Sequence, residues 1–145
     1  MGNSSIVESC GALIYCKSTK RYLFLLRNGP GKYAGTWGLV GGKLEQGENH
    51  LAGLVREIKE ELGGEIDDLQ LKKIETFVSP NQKFQYHTFM TVVDEEFTPL
   101  LNGEHRGYCW VSLEDHPKPL HPGVWRTFKF SSVIEKIKTL ESVLS

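Results

Sequence analysis

The sequence predicts an α/β fold in which helices cover a β-sheet. Short apolar runs separated by turn residues recur along the chain, as expected of strands. Two other segments repeat apolar residues at the helical spacing i, i+3, i+4 and i+7. Strands and helices follow one another in mixed order, which is typical of a sheet with helices packed on it.

The strands are predicted from runs of aliphatic, aromatic and β-branched residues. The run 22–27 is apolar up to Arg27, which indicates a strand buried on both faces. The runs 69–78 and 84–93 are joined through the turn sequence SPNQ, so they are expected to form a hairpin. The other predicted strands are 11–16, 37–40 and 107–113, with a loop over 100–106 and irregular structure over 117–122.

Two helices are predicted from the apolar spacing. The first covers about 49–62 and stops at the glycine pair 63–64. The second begins at Phe130 or Ser131 and ends at Leu144. The first helix is expected to bury one apolar stripe, formed by Leu51, Leu54, Val55, Ile58 and Leu62.

The composition is that of an ordinary globular chain and excludes several classes of protein. Its 145 residues, without a repeat or a linker, predict a single domain over 1–145. Seventeen basic and 18 acidic residues give a net charge of −1 without a basic tract, so no stable binding to nucleic acid is expected. No apolar run approaches the roughly 20 residues that a membrane span requires.

The positions of the cysteines and of three histidines lead to two further predictions. Three cysteines without a metal-binding spacing, and a start without a signal-peptide pattern, predict reduced thiols and a cytoplasmic protein. His105, His116 and His121 have no ligand-like spacing, so zinc is not expected.

Three carboxylates, Glu57, Glu60 and Glu61, lie on consecutive turns of the first predicted helix. On a helical wheel they form one patch that points away from the apolar stripe. Like charges at this spacing repel, and a hard cation such as Mg²⁺ or Mn²⁺ would remove the repulsion. A solvated acidic helix face is the alternative interpretation of the same residues.

A glycine bend and an arginine accompany these carboxylates. Gly41 and Gly42 let the backbone turn sharply and approach a ligand, and a carbonyl of this bend could join a metal shell. Gly53 lies on the acidic side of the helix, where the missing side chain would allow close packing. Arg56 cannot bind a cation, and its planar donors suit a carboxylate or a carbonyl.

The whole segment 42–64 resembles the Nudix box. That box is G, five residues, E, seven residues, R-E, a bulky apolar residue, any residue, E-E, any residue, G and a last apolar residue. Only the last position departs, because Gly64 replaces the apolar residue. Just upstream, residues 37–42 resemble the family's Trp-x-x-Pro-Gly-Gly sequence, with Val40 where proline is common.

The resemblance implies an α/β/α sandwich with a mixed β-sheet, formed by a single Nudix hydrolase domain. It implies a pyrophosphohydrolase in which water attacks a nucleoside diphosphate linked to another group, with Mg²⁺ or Mn²⁺ as cofactor. The implied metal ligands are Glu57, Glu60, Glu61 and the Gly41 carbonyl. Glu57 would also contact the attacking water. Gly42, Glu48 and Arg56 would be structural, with Arg56 helping to orient Glu57 in the catalytic set.

Nudix proteins often carry a further carboxylate downstream, as a base or an extra ligand. Asp94, Glu95, Glu96 and Glu104 are the candidates here. Glu104 is favoured because it precedes the predicted strand 107–113 in a loop that can fold back. A plain loop acid is the alternative for Glu104, whereas Asp94 to Glu96 are expected to end a strand in solvent.

Several residues could contact a nucleotide substrate. Arg27 ends a predicted strand and could reach a phosphate, and Lys43 follows the glycine bend. Trp37 could stack on a base, although aromatic residues of strands are more often part of a core. The same choice between stacking and core packing applies to Tyr33, Phe84 and Tyr86.

The Nudix box does not select the substrate, because selectivity lies in loops outside it. Nucleoside triphosphates, ADP-ribose and dinucleoside polyphosphates are all compatible, and we favour ADP-ribose or a related nucleotide sugar without a diagnostic residue. The alternative function is a Nudix module that binds a nucleotide without cutting it, against which the intact carboxylates argue. Nudix proteins are often dimers, so a homodimer stays open.

Overall fold

The computed structural model describes residues 6–62 and 70–144. The residues 63–69 lie outside this description, and with them the predicted helix stop at 63–64 and the first residue of the predicted strand 69–78. The elements are, in chain order, β1 (Val7–Cys16), β2 (Arg21–Arg27), β3 (Trp37–Gly38), β4 (Val40–Lys43), α1 (His50–Leu62), β5 (Lys72–Val78), β6 (Phe84–Val93), β7 (His105–Val111), α2 (Pro122–Phe128) and α3 (Ser131–Leu144).

Strand β1 is the centre of a mixed sheet. Along one edge it pairs in parallel with β6, from Val7 opposite Phe84 to Cys16 opposite Val93. Along the other edge it pairs antiparallel with β4 near its start and with β2 at its end. Strand β2 also pairs with β3 and β7, and β5 pairs antiparallel with β6 as the predicted hairpin. The predicted mixed sheet is therefore confirmed.

Alternating residues of the sheet pack into two cores. On one face, Ala12 and Ile14 of β1 belong to a buried cluster with Leu54 and Ile58 of α1. On the other face, Leu13 of β1 belongs to a second cluster that includes Val124 of α2 and Ile137 of α3. Because side chains of a strand alternate between faces, both faces of β1 are covered by helices. The α/β/α sandwich is confirmed.

The structure corrects three details of the sequence analysis. Leu51 is 45% exposed and does not belong to the buried stripe of α1. The predicted loop over 100–106 is too long, because β7 begins at His105. The segment 117–122 is irregular as predicted up to its last residue, but an unpredicted helix, α2, begins at Pro122, where the side chain of His121 accepts a hydrogen bond from the Gly123 amide. Within the described residues no helix is both long and apolar enough to cross a membrane.

Candidate active site

Helix α1 turns two of its three predicted metal ligands inward. Glu57 is 9% exposed and Glu61 is 2% exposed. Glu60 differs, since its side chain is 54% exposed. The prediction that all three form a patch away from the core is therefore wrong. The buried face of α1 includes Gly53, Glu57 and Glu61 beside the apolar residues, because the helix packs on the glycine strand β4 as well as on β1.

The Gly41–Gly42 segment lies directly against these carboxylates. The Gly41 amide donates a hydrogen bond of 3.2 Å to Oε1 of Glu61. Gly41 has φ +150°, and a Cβ there would lie 2.7 Å from Cα of Gly11 in β1. A Cβ on Gly42 would lie 2.7 Å from the carboxyl carbon of Glu57. Both glycines are thus required by the close approach of β4 to β1 and α1.

Glu48 and Arg56 form a bidentate ion pair beside Glu57. Arg56 donates from Nε and Nη2 to the two Glu48 oxygens, each at 2.9 Å. Its Nη1 lies 3.7 Å from Oε1 of Glu57 and 3.3 Å from Oε2 of Glu60. The bonds from Arg56 lower the pKa of Glu48 to about 2. Arg56 therefore holds Glu48 and also borders two of the predicted metal ligands.

Gly53 allows close packing, although against Leu44 and Glu48 rather than against the glycine bend. A Cβ at this position would lie 2.9 Å from the Glu48 carboxyl carbon and even closer to the side chain of Leu44. The Glu48 carboxylate also accepts a 2.9 Å hydrogen bond from the Glu45 amide. The loop that precedes α1 therefore packs directly against the backbone of Gly53.

The buried carboxylates are poorly solvated and repel one another. Burial is the largest cause that raises the pKa of Glu61, to about 8, and the charges of Glu57 and Glu104 raise it further. Burial likewise raises the pKa of Glu57, which Arg56 opposes and the neighbouring Glu60 and Glu104 reinforce. Oxygen donors gathered in this way fit a hard divalent cation such as Mg²⁺ or Mn²⁺.

Among the downstream acids, Glu104 is the one near this site. It lines the same cavity as Glu57, and its charge raises the pKa of both Glu57 and Glu61. The other candidates lie at the far end of β1. Asp94 pairs with Lys17 at 3.1 Å, and Glu96 pairs with Arg21 at 2.6 Å.

A cavity of about 810 Å³ opens beside α1, the helix that carries Glu57, Glu60 and Glu61 (the acidic helix). Arg27 and Lys43 line it, but Trp37 does not, because the Trp37 side chain packs against the second core cluster. Among the described residues, no hydrogen bond or ion pair involves the Arg27 guanidinium, although its charge lowers the pKa values of Glu61 and His105. The aromatic residues of the wall are Tyr33, Phe77, Phe84 and Tyr86.

Two histidines, His105 and His121, also line the cavity. His105 is 6% exposed, and its Nδ1 has no hydrogen-bond partner among the described residues. The His121 ring lies 4.4 Å from the Tyr33 ring, centroid to centroid. In the sequence His105 is marked by its position next to Glu104, and residue spacing alone does not show that its side chain lines the cavity.

Comparison with known proteins places this geometry in a family. A sequence model of the NUDIX domain matches residues 8–131. The nucleoside triphosphatase NudI of Escherichia coli strain UMN026 is 28% identical over 123 residues, covering 76% of this chain and 79% of that protein. A putative 8-oxo-dGTP diphosphatase 2 of Mycobacterium tuberculosis is 33% identical over 102 residues, covering 66% of this chain and 64% of that protein.

A solved structure agrees with the sequence matches. The crystal structure of a MutT protein from Methanosarcina mazei Go1 superposes with a TM-score of 0.71 at 26% identity, covering 94% of this chain and 99% of that one. The family match includes the glycine strand β4, the helix α1 and Glu104. The chain therefore belongs to the Nudix hydrolase family, which confirms at the level of the family the enzyme class that the sequence predicted, a Nudix pyrophosphohydrolase.

Proposed function

We propose that the protein hydrolyses a phosphoanhydride bond of a nucleoside diphosphate that is linked to another group, with Mg²⁺ or Mn²⁺ as cofactor. One observation carries the proposal. The buried carboxylates of Glu57 and Glu61 meet the Gly41–Gly42 segment beside a cavity that also presents the guanidinium of Arg27, which has no ion-pair partner among the described residues. Anionic and cationic groups at one cavity fit a metal-bound, negatively charged phosphate chain.

The metal would be held by Glu57, Glu60, Glu61 and the Gly41 carbonyl. When bound, a divalent ion acidifies water and offsets the charge of the phosphate oxygens. The exposed Glu60 can turn toward such an ion, since its contact with Arg56 at 3.3 Å lies on the surface. The hydrogen bond from the Gly41 amide holds the Glu61 carboxylate in place against β4.

The other polar residues have separate tasks. We assign Glu104 as the base that takes a proton from the attacking water, because it lines the cavity near Glu57. Arg56, anchored by its two bonds to Glu48, positions Glu57 and favours its ionised form. Arg27 and Lys43 would contact the phosphates, in keeping with their positions on the cavity wall.

The substrate we place first is a nucleoside triphosphate, cut to a nucleoside monophosphate and pyrophosphate. Two relatives are named for such substrates, a nucleoside triphosphatase and a putative 8-oxo-dGTP diphosphatase. The aromatic side of the cavity, with Tyr33, Phe84 and Tyr86, suits a base. ADP-ribose, which we favoured from the sequence, and dinucleoside polyphosphates are the next candidate substrates. The single domain over 1–145, the cytoplasmic location and a homodimer stay predictions.

A substrate panel tests the proposed function. The protein is incubated with canonical and oxidised nucleoside triphosphates, ADP-ribose and dinucleoside polyphosphates in the presence of Mg²⁺, and products are separated by chromatography. We expect turnover that stops with a chelator and in Glu61→Gln, but not in Glu135→Gln, an acid on the exposed part of α3. Tight binding of a nucleotide without any turnover would instead identify a sensor module, and neither binding nor turnover would reject the proposal.

A further inference from the structure

Three side chains of types that can bind a metal meet on the α1 side of the sheet, outside the cavity of the proposed active site. They come from Glu8 in β1, His50 at the start of α1 and His87 in β6. Oε1 of Glu8 lies 3.0 Å from Nε2 of His50 and 2.9 Å from Nε2 of His87. None of the three residues lines the cavity beside the acidic helix.

The spacing of the donor atoms is close to that of a metal shell. One ligand atom from each residue lies within 4.8 Å of the other two. Ligands at about 2.0–2.1 Å from a tetrahedral ion are separated by about 3.3 Å from one another. The two imidazole rings are stacked, with centroids 3.8 Å apart and planes 28° apart. Small ring movements would therefore seat one ion among the three.

The Thr76 hydroxyl orients the His87 ring within this cluster. Nδ1 of His87 lies 2.9 Å from Oγ1 of Thr76 in β5, so that its Nε2 faces Glu8. Metal-binding histidines commonly have such a partner on the second ring nitrogen. Burial lowers the pKa of His87, and the hydrogen bond from His87 is the largest cause that lowers the pKa of Glu8.

The site is also accessible to an ion from solvent. The side chains of His50 and Glu8 are 36% and 33% exposed, whereas that of His87 is 2% exposed. Two ligands therefore reach solvent while the third is fixed in the sheet. An ion can therefore reach these two side chains from solvent without unfolding of the chain.

We propose that Glu8, His50 and His87 form a second metal site, which takes a borderline divalent transition metal, Zn²⁺ first. Two imidazoles and one carboxylate suit Zn²⁺, whereas Mg²⁺ prefers oxygen donors throughout. The ion would join the first residue of α1 to the adjacent strands β1 and β6. Spacing along the sequence could not show this site, because its ligands lie more than 35 positions apart and meet only in the fold.

Zn²⁺ binding is measured by calorimetry, and the ligand set is read from the visible absorption of bound Co²⁺. The protein used carries Glu57→Gln and Glu61→Gln, so that the acidic helix cannot supply the signal. We expect one equivalent of Zn²⁺ to bind and to raise the melting temperature. His50→Gln, at a partly exposed position where the fold is expected to persist, should weaken binding by more than about tenfold, as should Glu8→Gln.

His116→Gln is the matched control, because His116 lies outside the cluster. Zn²⁺ binding that is unchanged by His50→Gln, or lost equally in His116→Gln, would overturn the proposal. So would a background variant that binds no Zn²⁺ although its circular dichroism shows it to be folded. These outcomes do not depend on hydrolysis, so the second site and the proposed function can fail separately.

Discussion

The carboxylate of Glu57 fills the space that a side chain at Gly42 would need. A Cβ on Gly42 would lie 2.7 Å from the carboxyl carbon of Glu57 and 2.8 Å from Oε1. Real Cβ atoms do not approach other atoms so closely, so one of the two groups would have to move. The position of a proposed metal ligand thus depends on the absence of a side chain in the neighbouring strand.

Gly42→Ala is therefore expected to impair activity more than stability. The new methyl group would displace Glu57, and a misplaced catalytic group can reduce turnover by about 100-fold. Kinetics at saturating and limiting Mg²⁺ would measure this loss. Gly103→Ala is the control, because a Cβ at Gly103 meets nothing within 4 Å. Equal activity in both variants would contradict this account of the glycine strand.

Gly53→Ala is expected to destabilise the protein although alanine favours helices. In an exposed helix the change would add about 1 kcal/mol of stability. Here the new Cβ would meet the buried side chain of Leu44 and the carboxyl carbon of Glu48, which Arg56 holds in place, so these two side chains would have to move. Urea unfolding measures whether the free energy of unfolding falls or rises in Gly53→Ala. Ala52→Gly, on the exposed face of the same helix, provides the reference loss of about 1 kcal/mol.

Arg27→Ala is expected to raise KM by about tenfold or more, because the guanidinium is placed to bind a substrate phosphate. Arg27→Lys should recover part of the loss, since a positive charge remains. Steady-state kinetics with the best substrate of the panel would show this. Arg106→Ala, an exposed position of β7 outside the cavity, is the control. An unchanged KM in Arg27→Ala would remove Arg27 from the substrate site.

His105 is expected to make the fold sensitive to acid. Burial, and to a smaller extent the charge of Arg27, lower the pKa of His105 from 6.5 to about 4. The unfolded chain then binds more protons than the native protein between about pH 6.5 and 4, so this contribution to stability is lost as the pH falls through that window. The loss is on the order of 3 kcal/mol.

Comparison of urea unfolding at pH 7 and pH 5 tests this effect. His105→Asn should reduce the fall in stability, whereas His116→Asn should leave it unchanged. If the difference between the two pH values is the same in His105→Asn as in the parent protein, the buried imidazole is not the cause.

The sequence predicted the strands and the two long helices because their apolar periods extend over several residues. It did not predict α2, a helix of seven residues that depends on Pro122 and on the His121 side chain at its start. Such a short helix contains too few turns to establish a period. Its presence matters because Val124 and Arg126 line one side of the cavity.

The sequence also located the acidic residues but misjudged which way they face. A helical wheel built on Leu51 assumes one apolar stripe, whereas α1 also packs against the glycine strand β4. Close packing on glycine brings Glu57 and Glu61 into the interior, which no periodicity of apolar residues can show. The cluster of Glu8, His50 and His87 was not predicted for a related reason, since only the pairing of β1 with β6 brings two of its members together.

The most direct test of the account is the binding of Mn²⁺, followed by electron paramagnetic resonance, in the parent protein and in Glu61→Gln. Gln keeps the size of Glu61 and removes the buried charge, so stability in the presence of a chelator should not fall at pH 8. We predict that Glu61→Gln weakens Mn²⁺ binding at the acidic helix and reduces metal-dependent turnover by about 100-fold or more. Full Mn²⁺ binding together with full turnover in that variant would contradict the central claim that these carboxylates hold the catalytic metal.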